Sequence, residues 1–85
     1  MNFKDDTSPD VIVDTTGTFC PVPIIKLSEA IRNIDEGGVV ELVSDDAAIE
    51  LDLPAWCRST GHHVVSESKA GKKYVYRVRR TIVKP

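Results

Sequence analysis

The sequence predicts an α/β (α+β) two-layer sandwich in the order βαβαββ, with a mixed four-stranded sheet and both helices on one face. Three observations carry this reading. Two valine-rich runs, Val11-Ile12-Val13 and Val39-Val40-Glu41-Leu42-Val43, each precede a segment whose apolar residues recur at helical spacing. Two alternating segments then meet at Ala70-Gly71, the pattern of a hairpin. Right-handed crossovers between parallel strands place both helices on the same side of the sheet, and 85 residues supply one domain with one modest core.

Residues 1–9 are polar apart from Phe3 and are expected to form a mobile tail ahead of a single domain over 10–83. Val11-Ile12-Val13 is the first strand, and Thr15-Thr16-Gly17 the loop that leaves it. Ile24, Leu27, Ala30, Ile31 and Ile34 line one side of the first helix, opposite Lys26, Glu29, Arg32, Asn33 and Glu36. Gly37 and Gly38 are expected to close it, because glycine accepts the left-handed conformation common at helix ends. The run Val39 to Val43 is apolar on both faces and belongs inside the sheet.

Asp45 or Asp46 is expected to cap the second helix, whose apolar face is Ile49, Leu53, Trp56 and Cys57. Pro54 should kink it or divide it, with Asp52 capping the second piece and Gly61 ending it. The hairpin strands are His63 to Lys69 and Lys72 to Val83, the second alternating Tyr74, Tyr76 and Val78 against Val75, Arg77 and Arg79.

A hydrophobic fraction of 41% and a charged fraction of 28% describe an ordinary globular chain, and a net charge of −2 gives no electrostatic case for nucleic acid. Lys72, Lys73, Arg77, Arg79 and Arg80 are expected on the solvated outer face of an edge strand, the alternative being a dock for an acidic protein. No apolar run reaches membrane-spanning length and the N-terminal residues lack a signal-peptide core, so a cytoplasmic location is expected. Two distant cysteines make no disulfide framework, and Cys20, Cys57, His62 and His63 lack the short paired spacing of a metal site. No metal and no cofactor are therefore expected.

Cys20 stands between the first strand and the first helix, in Thr18-Phe19-Cys20-Pro21-Val22-Pro23. A helix N-terminus favours thiolate over thiol. Pro21 and Pro23 fall in the first turn, where a missing N–H breaks no helical bond. They leave mainly the N–H groups of Val22 and Ile24 for the sulfur, which predicts a modest lowering of the thiol pKa. Pro23 stands where a Cys-x-x-Cys motif has its second thiol, so a dithiol switch within the turn is excluded.

Cys57 shares an apolar helical face and is expected to be buried, as is most of Trp56. Asp45 and Asp46 are read as capping residues. Lys26 lies on the polar helix face about one and a half turns from Cys20, where it either engages a partner or stays solvated. His62 divides evenly between stabilising the turn and a functional role, and His63 is read as solvent-facing.

The combination of Asp14, Gly17, Cys20-Pro21-Val22-Pro23, Lys26, Gly37-Gly38, Asp45-Asp46, Asp52-Leu53-Pro54, Trp56-Cys57 and Gly61-His62 resembles the TusA-like (SirA-like, YedF-like) sulfur carriers over roughly residues 11–80. The resemblance implies the fold reached above and a persulfide on Cys20; beside it, Pro21 and Pro23 are read as rigid supports of the sulfur loop and Lys26 as a supporting residue. It implies a sulfur donor protein (a cysteine desulfurase or rhodanese) and an acceptor protein (DsrE-like or heterodisulfide-reductase-like). Transfer RNA thiolation, sulfur oxidation and cofactor synthesis are pathways served by such carriers. This describes a sulfurtransferase-type carrier rather than a conventional turnover enzyme. Phe19, where an aliphatic residue is common, and Gly37-Gly38 in place of Pro-Gly depart from the family pattern. Two other readings compete: a regulatory or interaction module using the hairpin and first helix, and a thiol redox protein pairing Cys20 with Cys57.

Overall fold

The computed structural model describes residues 8–81. Its elements are β1 (Val11–Asp14), α1 (Val22–Arg32), β2 (Val39–Ser44), α2 (Ile49–Thr60), β3 (His63–Ala70) and β4 (Lys73–Arg79), the βαβαββ order expected. The sheet order is β1-β2-β4-β3, with β1 parallel to β2 and the other two pairings antiparallel. Most of the expected tail, residues 1–7, lies outside the described residues, as do 82 and 83 of the expected last strand.

Alternation along the strands decides which face the helices cover. Val40 and Leu42 of β2 and Tyr74, Tyr76 and Val78 of β4 join Leu27 and Ile31 of α1 and Ile49, Leu53 and Cys57 of α2 in one core. Val13, Ile24, Ala30, Ile34 and Trp56 pack against it. On the opposite face Val39 is also buried, 2% exposed, which accords with the interior place expected for β2.

The expected edge position of the basic strand is corrected, because β4 lies between β2 and β3 and the edges are β1 and β3. Arg77 faces away from the helices and pairs at 2.9 Å with Glu41, its cross-strand partner. Arg80 donates to the Ile34 carbonyl and so ties the end of β4 to the chain leaving α1. The hairpin turns at Gly71-Lys72, one residue later than expected, with Gly71 at φ +62 and Ala70 paired to Lys73.

Helix α1 closes earlier than the glycines suggest. Asn33 follows its last residue, and the Asn33 side chain donates to the Glu29 carbonyl at 2.9 Å. Gly37 and Gly38 instead shape the entry to β2. Gly37, at φ +85, donates its N–H to the Arg80 carbonyl at 2.8 Å. A Cβ on Gly38 would stand 2.9 Å from the Asp35 carbonyl oxygen and 3.0 Å from Asp10 Oδ2, which itself accepts the Val39 N–H. Gly38→Ala is therefore expected to destabilise the fold by about 1–3 kcal/mol, read as a lower urea midpoint at unchanged slope; an unchanged midpoint would contradict it.

Pro54 does not divide α2, which runs unbroken through it. Glu50, whose carbonyl would have bonded a residue-54 N–H, is an exposed residue, where losing that bond costs less than it would in the core. Asp52 consequently lies inside the helix and caps nothing. Asp46 caps the turn leading to α2, its Oδ1 accepting the Ala48 N–H at 3.1 Å. Gly61 ends the helix as expected, at φ +90 with its N–H on the Cys57 carbonyl at 2.8 Å. Among the described residues no helix is long and apolar enough to cross a membrane.

Candidate functional site

Parallel pairing brings the carboxyl ends of β1 and β2 side by side, and the candidate site is built on the two loops that leave them. Thr15 anchors the first loop, its N–H and hydroxyl both donating to the Val43 carbonyl at 2.8 and 2.6 Å. Thr18 folds the loop back by donating its N–H and hydroxyl to the Thr15 carbonyl. Asp14 accepts the hydroxyl and N–H of Thr16, which hold its carboxyl below the usual range. Gly17, at φ +87, donates its N–H to Asp45 Oδ1 at 3.0 Å, and Cys20 donates its N–H to Asp46 Oδ2 at 2.9 Å. Two acids of the second loop thus grip the first.

The start of α1 differs from the expectation by one residue. Pro21 flanks the helix, Val22 is its first residue and Pro23 its second, with Pro23 buried. The Cys20–Pro21 peptide is cis. The Val22 N–H, expected near the sulfur, is taken by the Phe19 carbonyl at 2.9 Å. The sulfur itself donates to Asp52 Oδ2 at 2.7 Å.

This contact reverses the expected pKa direction. The hydrogen bond to Asp52 first, then desolvation and the negative charges of Asp52 and Asp46, push the Cys20 thiol up. A carboxylate in contact outweighs a helix end at which Phe19 takes the Val22 N–H and Pro21 and Pro23 have none to offer. Asp46 moves the other way, because the N–H groups of Cys20 and Ala48 favour its anion.

Cys20, Pro23, Ile24, Asp46, Ile49 and Asp52 line a small depression, and Cys20 is an exposed residue. Large exposed apolar side chains occur on the same segments: Phe19 (71% exposed) beside Cys20, Ile25 (50%) one turn into α1, and Leu51 (80%) beside Asp52. Lys26 is exposed on α1 and is not among the residues lining the depression.

Cys57 lies in the core, 4% exposed, where burial pushes its thiol up to about 11; both cysteines are free. His62 stabilises the turn region. Its Nδ1 accepts the Thr81 N–H at 3.0 Å, and its ring lies 5.3 Å from that of Trp56. Burial, then the charges of Arg80 and His63, lower its pKa.

Sequence reasoning missed Asp52 as a neighbour of the thiol and assigned Asp46 to capping alone. A signal for Asp52 was present: it follows Ile49 by three residues, so both project from the same side of α2. Nothing local indicated that this side meets the Cys20 loop.

A family model described as Sulfurtransferase TusA matches residues 11–80. The sulfur carrier protein TusA of Pseudomonas putida is 32% identical over 75 residues, covering 88% of this chain and 94% of the relative. That of Pseudomonas aeruginosa is 32% identical over 73 residues, covering 86% and 92%. The crystal structure of a SirA-like protein from Desulfitobacterium hafniense shares the fold, with a TM-score of 0.73 at 20% identity over 85% of this chain and 99% of that one. A family match that spans the domain from β1 to the end of β4, with relatives aligned over most of both chains, places this chain in the TusA sulfurtransferase family.

Proposed function

We propose that this protein is a sulfur carrier that accepts sulfane sulfur as a persulfide on Cys20 and relays it to an acceptor protein. The observation that carries the reading is the pairing of a fixed backbone with an accessible sulfur. The Cys20 N–H is held by Asp46 at 2.9 Å while the residue is exposed and lines the depression. A carrier needs its sulfur to reach two different protein surfaces in turn without losing its place. Pro21 and Pro23 serve as rigid supports of that loop, and Lys26 contributes a charge about one and a half helical turns away.

In the transfer, Sγ attacks the outer sulfur of a donor persulfide, a new S–S bond forms and the donor's own S–S bond breaks. An acceptor thiol later attacks the outer sulfur on Cys20 in the same way, giving up its proton as the new S–S bond forms. Donor and acceptor are proteins, a reading supported by the exposed Phe19, Ile25 and Leu51 near the thiol, which suit a protein contact. The donor is a cysteine desulfurase or rhodanese, the acceptor a DsrE-like or heterodisulfide-reductase-like protein, and the setting a reducing cytoplasm. The redox alternative draws no support from a Cys57 that is free and buried in the core.

The test is intact mass after incubation with a cysteine desulfurase and cysteine. One added sulfur atom is expected on the wild type and on Cys57→Ala, and none on Cys20→Ala. Uptake by Cys20→Ala that is lost in Cys57→Ala would overturn the reading.

A further inference from the structure

We propose that Asp52 is the acid–base catalytic residue of transfer at Cys20, taking the thiol proton as Sγ attacks and returning a proton to Sγ when the sulfur departs. The inference rests on the reading of Cys20 as the persulfide-bearing residue. Its basis is contact: Cys20 Sγ donates to Asp52 Oδ2 at 2.7 Å, within the reach required of a general base. The carboxylate comes from the first turn of α2, between buried Ile49 and Leu53, so its position is set by a packed element.

Asp46 has a different task. Its two oxygens accept the N–H groups of Cys20 and Ala48, so it holds backbone rather than the thiol proton. Asp45 is bonded to the Gly17 N–H. On α1 no titratable group precedes Lys26, which is exposed and not among the lining residues of the depression. The charged groups that bear on Cys20 are therefore Asp52 from α2 and Asp46 from the loop after β2, both anionic. Such surroundings disfavour a standing thiolate. A carrier that attacked only through preformed thiolate would be slow at neutral pH, and a base in contact with the S–H removes that restriction.

The step balances without an added oxidant or reductant. On loading, the Sγ–S bond forms, the donor S–S bond breaks, and the donor sulfur leaves with the electron pair. The proton passes from Sγ to Asp52 Oδ2 and then to the departing donor sulfur, so a thiol and a persulfide exchange one neutral sulfur atom. A thiolate standing beside Asp46 ahead of attack is disfavoured. The proton therefore moves as the S–S bond forms. On unloading, the acceptor thiol supplies the proton through Asp52, and Sγ leaves protonated.

The test compares wild type, Asp52→Asn and Asp52→Glu in two reactions of Cys20: loading by glutathione persulfide, followed by mass, and alkylation by iodoacetamide. At pH 6.5 Asp52→Asn should load about 100-fold more slowly, with a rate rising about tenfold per pH unit toward that of wild type, whose profile stays flat. Alkylation, which needs only thiolate, should be faster in Asp52→Asn because the opposing charge is gone. Asp52→Glu should restore part of the loading rate and the flat profile. Equal or faster loading by Asp52→Asn, or loading and alkylation slowed alike, would overturn the proposal. Sulfur uptake by Cys20→Ala would overturn instead the carrier reading beneath it, whatever the Asp52 comparison gives.

Discussion

Cys20→Ser is expected to fold like the wild type and carry no sulfur. The exchange keeps the Cys20 N–H that bonds Asp46, and the serine hydroxyl supplies a donor for the Asp52 carboxylate, so the loop retains both attachments. Because the side chain is exposed, no core contact is lost, and the thermal midpoint should stay close to wild type. What disappears is the sulfur nucleophile, since an alcohol beside a carboxylate has neither the acidity nor the softness to attack a persulfide. Cys57 offers no substitute, being 4% exposed with a thiol pushed up to about 11. Intact mass and a melting curve on one sample check both halves. Sulfur on the folded variant would count against the mechanism, and a large fall in midpoint would show that the thiol has a packing role.

Leu53→Ala should show the opposite pattern, a damaged fold with the reacting groups untouched. Leu53 is fully buried, between Asp52, which faces the thiol, and Pro54, which already removes one helical hydrogen bond. Truncation leaves a cavity among the side chains of α1, α2 and the sheet, and such losses run to about 2–5 kcal/mol. For a small domain that is a large share of a total stability of about 5–15 kcal/mol. Urea unfolding measures it, and a loss below about 1 kcal/mol would mean that the core closes around the site. Because Leu53 helps place α2, sulfur loading should fail at a lower temperature than in wild type.

The parts of this molecule legible in its sequence are those governed by near neighbours along the chain. Ile24, Leu27 and Ile31 mark the inward side of α1, Ile49, Leu53 and Cys57 that of α2, and Tyr74, Tyr76 and Val78 that of β4. Each pattern follows from a repeat of 3.6 or 2 residues. Errors arose where a local signal competed with a distant one. Gly37-Gly38 read as a helix end but serves the pairing with Arg80, and Pro54, read as kinking or dividing α2, leaves undivided a helix held by its buried face. The basic strand read as an edge because pairing order depends on contacts that no local pattern encodes.

Cys20 shows the same division. By itself the sequence determined that a single thiol follows a strand, precedes a helix, is framed by prolines and has no second thiol within its turn. The tertiary structure decided what that thiol faces. Parallel pairing of β1 with β2, and packing of α2 beside α1, bring Asp46 and Asp52 to Cys20 from 26 and 32 residues away. Electrostatic and hydrogen-bond effects fall off with distance in space, not along the chain, so a thiol expected to be slightly acidic is pushed the other way by the carboxylate it meets.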